Sequence, residues 1–105
     1  MDLFNLVAHL RNTGYPVAFA SFEQPNPKLP YIVYTTPNDP DFKADNKNYH
    51  KIIDVDIELY TDKKDLEAEA VIENLLEENE LPYASGQAYI ESERMHMKRY
   101  EIRLI

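Results

Sequence analysis

The chain has no cysteine, two glycines and no long apolar run. Without cysteine there are no disulfides, no thiolate nucleophile and no Cys-type zinc site. With Gly14 and Gly86 alone, no glycine-rich loop is present to cradle a phosphate. No apolar segment approaches the ~18 residues that suggest a membrane-spanning helix. The opening Met1-Asp2-Leu3-Phe4 lacks the basic flank and apolar stretch of a signal peptide, so a soluble, cytoplasm-made protein is expected. Basic residues are also scarce: 11 Lys and Arg stand against 19 Asp and Glu, a net charge of −8.

That excess has an address. Residues 54–80 hold eleven acids against Lys63 and Lys64, while the segments on either side are near balance. Such a surface disfavours tight binding to nucleic acid, whose backbone is held by neutralising phosphates with Lys and Arg. A solvated acidic face is the ordinary reading of a charge run of this kind.

At 105 residues a single domain spanning 1–105 is expected. Its scaffold lies within residues 52–76. Ile53, Val55, Ile57 and Leu59 alternate with Asp54, Asp56, Glu58 and Tyr60, the period of a strand with one dry face and one wet face. After a turn the spacing becomes helical: Ala68, Val71, Ile72, Leu75 and Leu76 form a stripe, and Glu67, Glu69, Glu73, Glu77 and Glu78 fall mostly off it.

Before the scaffold, Leu3, Phe4, Leu6, Val7 and Leu10 predict a short helix with Asp2 as N-cap and Gly14 as a stop signal. Residues 17–22 and the run Tyr31-Ile32-Val33-Tyr34-Thr35-Thr36 predict strands, separated by a stiff connection carrying Pro25, Pro27 and Pro30. A polar stretch over residues 38–50 follows, with Phe42 and Tyr49 available to pin it to the body or to a neighbouring subunit. After the acidic helix, residues 83–91 predict a strand with an irregularity at Gly86, and residues 95–105 a long final strand. The fold class expected is α+β: a mixed or antiparallel sheet of about five strands, in the order helix, three strands, helix, two strands, with two helices packed on it. If the last strand pairs with the central one, Arg99 and Arg103 share a wet face with Asp54, Asp56 and Glu58, so these two strands should be neighbours.

Candidate chemistry is thin. Asp54, Asp56 and Glu58 put three carboxylates on one strand face, a metal or acid–base cluster only if a cleft encloses them. Residues 39–50 begin like a calcium loop but place Lys43, Ala44 and His50 where that loop needs an oxygen ligand, Gly and Glu. His9, His50 and His96 have no ligand spacing, and Met95 and Met97 read as core filler. No serine lies in a nucleophile-elbow context. No catalytic residue, metal or cofactor is therefore expected. The eight Tyr and four Phe are more than one small core readily hides, and Tyr31, Tyr34, Tyr49, Tyr60, Tyr83 and Tyr89 are candidates for contact surfaces.

The runs Leu29-Pro30-Tyr31-Ile32-Val33-Tyr34, Phe42-Lys43-Ala44-Asp45-Asn46-Lys47-Asn48-Tyr49, Val55-Asp56-Ile57-Glu58-Leu59-Tyr60-Thr61 with Lys64-Asp65, and Tyr100-Glu101-Ile102-Arg103-Leu104 carry a resemblance. In order and spacing the chain from about Leu29 onward resembles the tail-completion proteins of long non-contractile-tailed phages and prophages, also called tail terminators or tail-to-head joining proteins. The resemblance implies a non-enzymatic α+β subunit of the virion, made in the bacterial host cytoplasm. It would assemble as a hexameric ring at the head–tail junction, capping the tail tube protein and meeting the head connector protein while DNA passes through. No membrane is involved. It also implies a docking or inter-subunit role for residues 38–50, which makes Phe42, Asp45, Asn46 and Tyr49, together with Tyr60, candidate interface residues. Asp54, Asp56 and Glu58 form the candidate acidic face, and an acidic lumen would keep DNA from sticking. The alternative is a small acidic regulatory module that binds a basic protein through its acidic helix.

Overall fold

Asp2 starts the first helix, its carboxylate accepting the Asn5 N–H at 2.8 Å. In the computed structural model, which describes residues 1–38 and 52–105, this helix (α1) runs Leu3–Arg11 and buries Leu6, Val7 and Leu10. Phe4, expected on the buried stripe, is 82% exposed. It sits about 100° round the helix from Leu3, and the docked stripe is narrower than the run of apolar residues. Gly14 adopts φ +89°, a left-handed conformation that suits glycine as the chain leaves the helix.

Strand β1 is Val17–Phe19, shorter than the six residues expected. Ala20 turns left-handed (φ 65°) and the Ser21 N–H closes onto the Phe19 carbonyl at 2.7 Å, so the strand cannot continue. Strand β2 is Tyr31–Thr35 and β3 is Ile53–Thr61. Helix α2, Leu66–Glu78, is capped by Asp65, which accepts the Ala68 N–H at 3.0 Å. Strand β4, Tyr83–Ile90, and β5, Met95–Leu104, are joined by a single 3-10 turn ending at left-handed Arg94.

The five strands form one mixed sheet in the order β1-β2-β3-β5-β4, with β1 parallel to β2 and every other pair antiparallel. The α+β class and the order of elements are those expected. So is the pairing of the central and last strands: Asp54 stands opposite Arg103 and Glu58 opposite Arg99. The register of β4 on β5 is unbroken through Gly86 and Arg99, so the irregularity expected at that glycine is absent.

Strand alternation divides the sheet into two faces. On one, Ile32, Val55, Ile57, Leu59, Tyr100, Ile102 and Leu104 meet Leu6 and Leu10 of α1 and Ala68, Ile72 and Leu76 of α2 in a single buried cluster. Both helices cover this face. Val71, assigned to the buried stripe, is 37% exposed, whereas Glu69, expected outside it, is only 4% exposed. The helix is rolled towards β5 relative to the sequence expectation, because two lysines wait beneath Glu69. Lys64 Nζ hydrogen-bonds Glu69 Oε1 at 3.0 Å and lies 2.9 Å from Oε2, and Lys98 Nζ lies 3.7 Å from Oε1.

Candidate functional surface

The second face carries no helix, and its two ends differ in chemistry. At one end aromatic and thioether groups pack together. Phe22 meets Tyr31 edge-on at 5.2 Å, Tyr31 stacks on Tyr60 at 5.2 Å, and the Tyr31 hydroxyl points at the Met95 sulfur at 3.8 Å. Tyr31, Val33, Met95 and Met97 are all buried here. Met95 and Met97 thus fill a small secondary core, as the sequence suggested. His96, between them, lies on the helix-bearing face because alternation turns it away. The three side chains cannot converge on one ion.

The other end holds the candidate acidic face. Asp54, Asp56 and Glu58 are brought together on β3, with Arg103, Glu101 and Arg99 opposite them on β5. Arg103 Nε donates to Asp54 Oδ1 at 2.8 Å, and Asn38 Nδ2 donates to Asp54 Oδ2 at 2.6 Å. These bonds hold the Asp54 carboxyl below its ordinary pKa, the Arg103 hydrogen bond first among the causes. Arg99 reaches Glu58 at 3.5 Å. Asp56 is in a different position. Its cross-strand neighbour is another acid, Glu101, and its pKa is raised, by burial first and by the charge of Glu101 second. Two residues apart on one strand, Asp54 and Asp56 are driven in opposite directions.

Tyr60 joins the two ends. Its ring belongs to the aromatic cluster and its hydroxyl donates to Glu58 Oε1 at 2.8 Å. Burial and that acceptor both push its pKa up. Of the candidate interface residues, Tyr60 is therefore half-buried and engaged within its own chain. Phe42, Asp45, Asn46 and Tyr49 lie outside the described residues, as does the calcium-like stretch at 39–50.

A shallow groove of about 650 Å³ borders the acidic end, walled by Asn38, Asp54, Asp56, Tyr83, Glu101 and Arg103 among others. Among the described residues, no three His, Asp or Glu side chains are arranged to hold a metal ion. Nor is any helix among them long and apolar enough to cross a membrane. Residue reasoning had placed Glu101 on this face but had not grouped it with the acids. The alternation of β5 gave its face, yet only the register shows that it confronts Asp56.

Of the tyrosines singled out, Tyr31 is 5% exposed and Tyr89 is 59% exposed, so a count of aromatics did not separate core from surface. Tyr83 packs edge-on against Tyr100 at 5.4 Å, and Tyr34 against Phe19 at 5.3 Å. No family model, curated protein or solved structure matches this chain.

Proposed function

We propose that the chain is a non-enzymatic structural subunit of a phage virion: a tail-completion protein that forms a ring on the end of the tail tube and joins it to the head connector. The observation that carries this reading is the helix-free face of the sheet. Its polar end presents Asp54, Asp56, Glu58 and Glu101, and the two arginines beside them are bound to Asp54 and Glu58. A phosphate backbone meeting this face finds carboxylates and no free arginine fork. Such a surface lets DNA pass without adhering. The sequence resemblance supports the same reading, and the α+β fold is the one that resemblance implies.

In a ring, this face would line the channel and the helices would lie outward. Gold-labelled chain mixed with tail tubes and imaged in negative stain tests the reading. The expected result is a ring of label at one end of the tube. A chain that never adds to tubes, at any stage of assembly, would sink it.

One observation favours the second reading, a module for a basic protein. Glu67, Glu77, Glu78 and Glu80 are exposed on or just beyond α2 with no hydrogen bond or ion pair to a described residue among their printed contacts. Saturable binding to a lysine-rich protein, lost when these four glutamates become glutamine and unaccompanied by any binding to tubes, would favour it over the ring.

A further inference from the structure

We infer that the free edge of β4 is a docking site for the β4 edge of a second copy of this chain, pairing antiparallel about a two-fold axis. The two outer edges of the sheet are built differently. The β1 edge is three residues long and ends in the left-handed Ala20 and the tight Ser21–Phe19 turn, devices that blunt an edge. The β4 edge is eight residues long, with Ala84 to Tyr89 exposed. It contains no proline, no charged side chain and no bulge, none of the usual guards against strand addition.

Gly86 at its centre points the same way. Its φ is not in the left-handed region, and a Cβ added there meets nothing within 4 Å. Neither backbone conformation nor packing within the chain calls for glycine in a strand where glycine weakens pairing. A glycine so placed marks close approach by another backbone.

Charge and register select a second copy as the partner. The cations flanking β4 are already neutralised: Lys64 and Lys98 by Glu69, Arg99 by Glu58. In a chain of net charge −8 this edge is a neutral corridor. Like chains can approach through it without strong repulsion, whereas a basic partner would be drawn to the acids of α2. A two-fold centred on Gly86, with the helices of both copies on one side, sets Gly86 against Gly86, Ala84 against Ala88, Ser85 against Gln87 and Tyr83 against Tyr89. Small residues meet on the helix-free face, and aromatic pairs and hydrogen-bonding pairs meet on the other. Eight residues a side is small beside the ~20–30 of a standard interface, so the dimer is weak and concentration-dependent.

This inference stands beside the ring reading and does not rest on it. A two-fold contact closes with two copies, whereas a ring needs head-to-tail contacts. The chain has no cysteine, so a single introduced thiol reports only on contacts between copies. Under mild oxidation Gly86→Cys should form a disulfide dimer on the order of tenfold faster than Phe4→Cys, an exposed control on α1, because pairing holds the two thiols at high effective concentration and bridging distance. Sedimentation velocity should show the unmodified chain dimerising as concentration rises.

Ala84→Lys with Ala88→Lys sets like charges opposite one another and should abolish the dimer. Ala84→Lys with Ala88→Glu sets opposite charges together and should restore it. All four sites are exposed, and circular dichroism confirms that each variant is folded. A chain that stays monomeric at every concentration, or cross-linking at Gly86→Cys no faster than at Phe4→Cys, overturns the inference. Rings that form while Gly86→Cys stays silent also overturn it and leave the ring reading standing.

Discussion

On the helix side of the β3–β5 ladder, Val55, Ile57, Tyr100 and Ile102 are sealed beneath two helices; on the other side of the same strands, Asp54, Asp56, Glu101 and Arg103 stand in rows open to water. The strands are shared, so backbone hydrogen bonding is common to both faces. What differs is the source of stability. The dry side depends on apolar area and close packing, which respond steeply to lost volume. The wet side depends on ion pairs in a high-dielectric setting, where each contributes little. The face that is energetically cheap to alter is the one free to be shaped by what the molecule must meet.

The largest effect should come from the dry side. Ile57 is 0% exposed, faces Tyr100 across the ladder and belongs to the central cluster. Ile57→Ala should cost about 2–5 kcal/mol, through lost transfer energy and the cavity left behind. In a domain of this size that lowers Tm by roughly 10 °C or more. Calorimetry checks it. A loss no larger than that of an exposed-site change would mean that the helices do not seal this face.

The next effect tests the one place where charge enters the dry side. Glu69 is buried while its partner Lys64 is 43% exposed in its side chain, so the two ends of the pair are not equivalent. Glu69→Gln leaves an ammonium that can turn to water and should cost about 1 kcal/mol. Lys64→Met leaves a buried carboxylate with only Lys98 at 3.7 Å, and also removes the Gln87 contact at 2.6 Å. Its cost should be larger, about 2–3 kcal/mol, since removing the accessible partner strands the inaccessible charge. Urea titrations of the two variants decide the order. The reverse order would show that Lys98 alone satisfies the carboxylate.

Glu69 also marks where reading the sequence stops. Alternation along residues 53–59 and 99–104 correctly assigned each side chain to a face, because a strand's period is local. The pairing of β3 with β5 followed from charges that matched across two such patterns. Helix caps at Asp2 and Asp65 were equally local. The roll of α2 was not, since it depends on Lys98 arriving from β5, some thirty residues later in the chain. For the same reason Phe4 and Val71 were assigned to the core by spacing alone and proved exposed. The edge position of β4 could not be read either: nothing in residues 83–90 says that β5 takes the place between β3 and β4.

The smallest effect, and the finest test of the wet side, sets Asp54 against Asp56. Asp54 has a lowered pKa, so its contribution is present above its ordinary value of 3.8 and is lost as pH falls through the lower folded value. Asp56 has a raised pKa. The folded state binds its proton more tightly than the unfolded chain, which favours folding in acid, and this advantage disappears as pH rises through the folded value. At neutral pH the ionised Asp56 facing Glu101 therefore works against the fold. Asp56→Asn should stabilise the chain at neutral pH, by up to about 0.5 kcal/mol for so accessible a site. Relative to the parent, that gain should shrink as pH falls below 3.8 and the parent's own carboxyl becomes protonated. Asp54→Asn should instead destabilise at neutral pH, with the deficit fading in acid as the parent's pair with Arg103 is lost. Denaturant midpoints measured across the acid range give both slopes. Slopes of the same sign would mean that Asp56 has a cationic partner after all, and that the wet face is not divided as its register indicates.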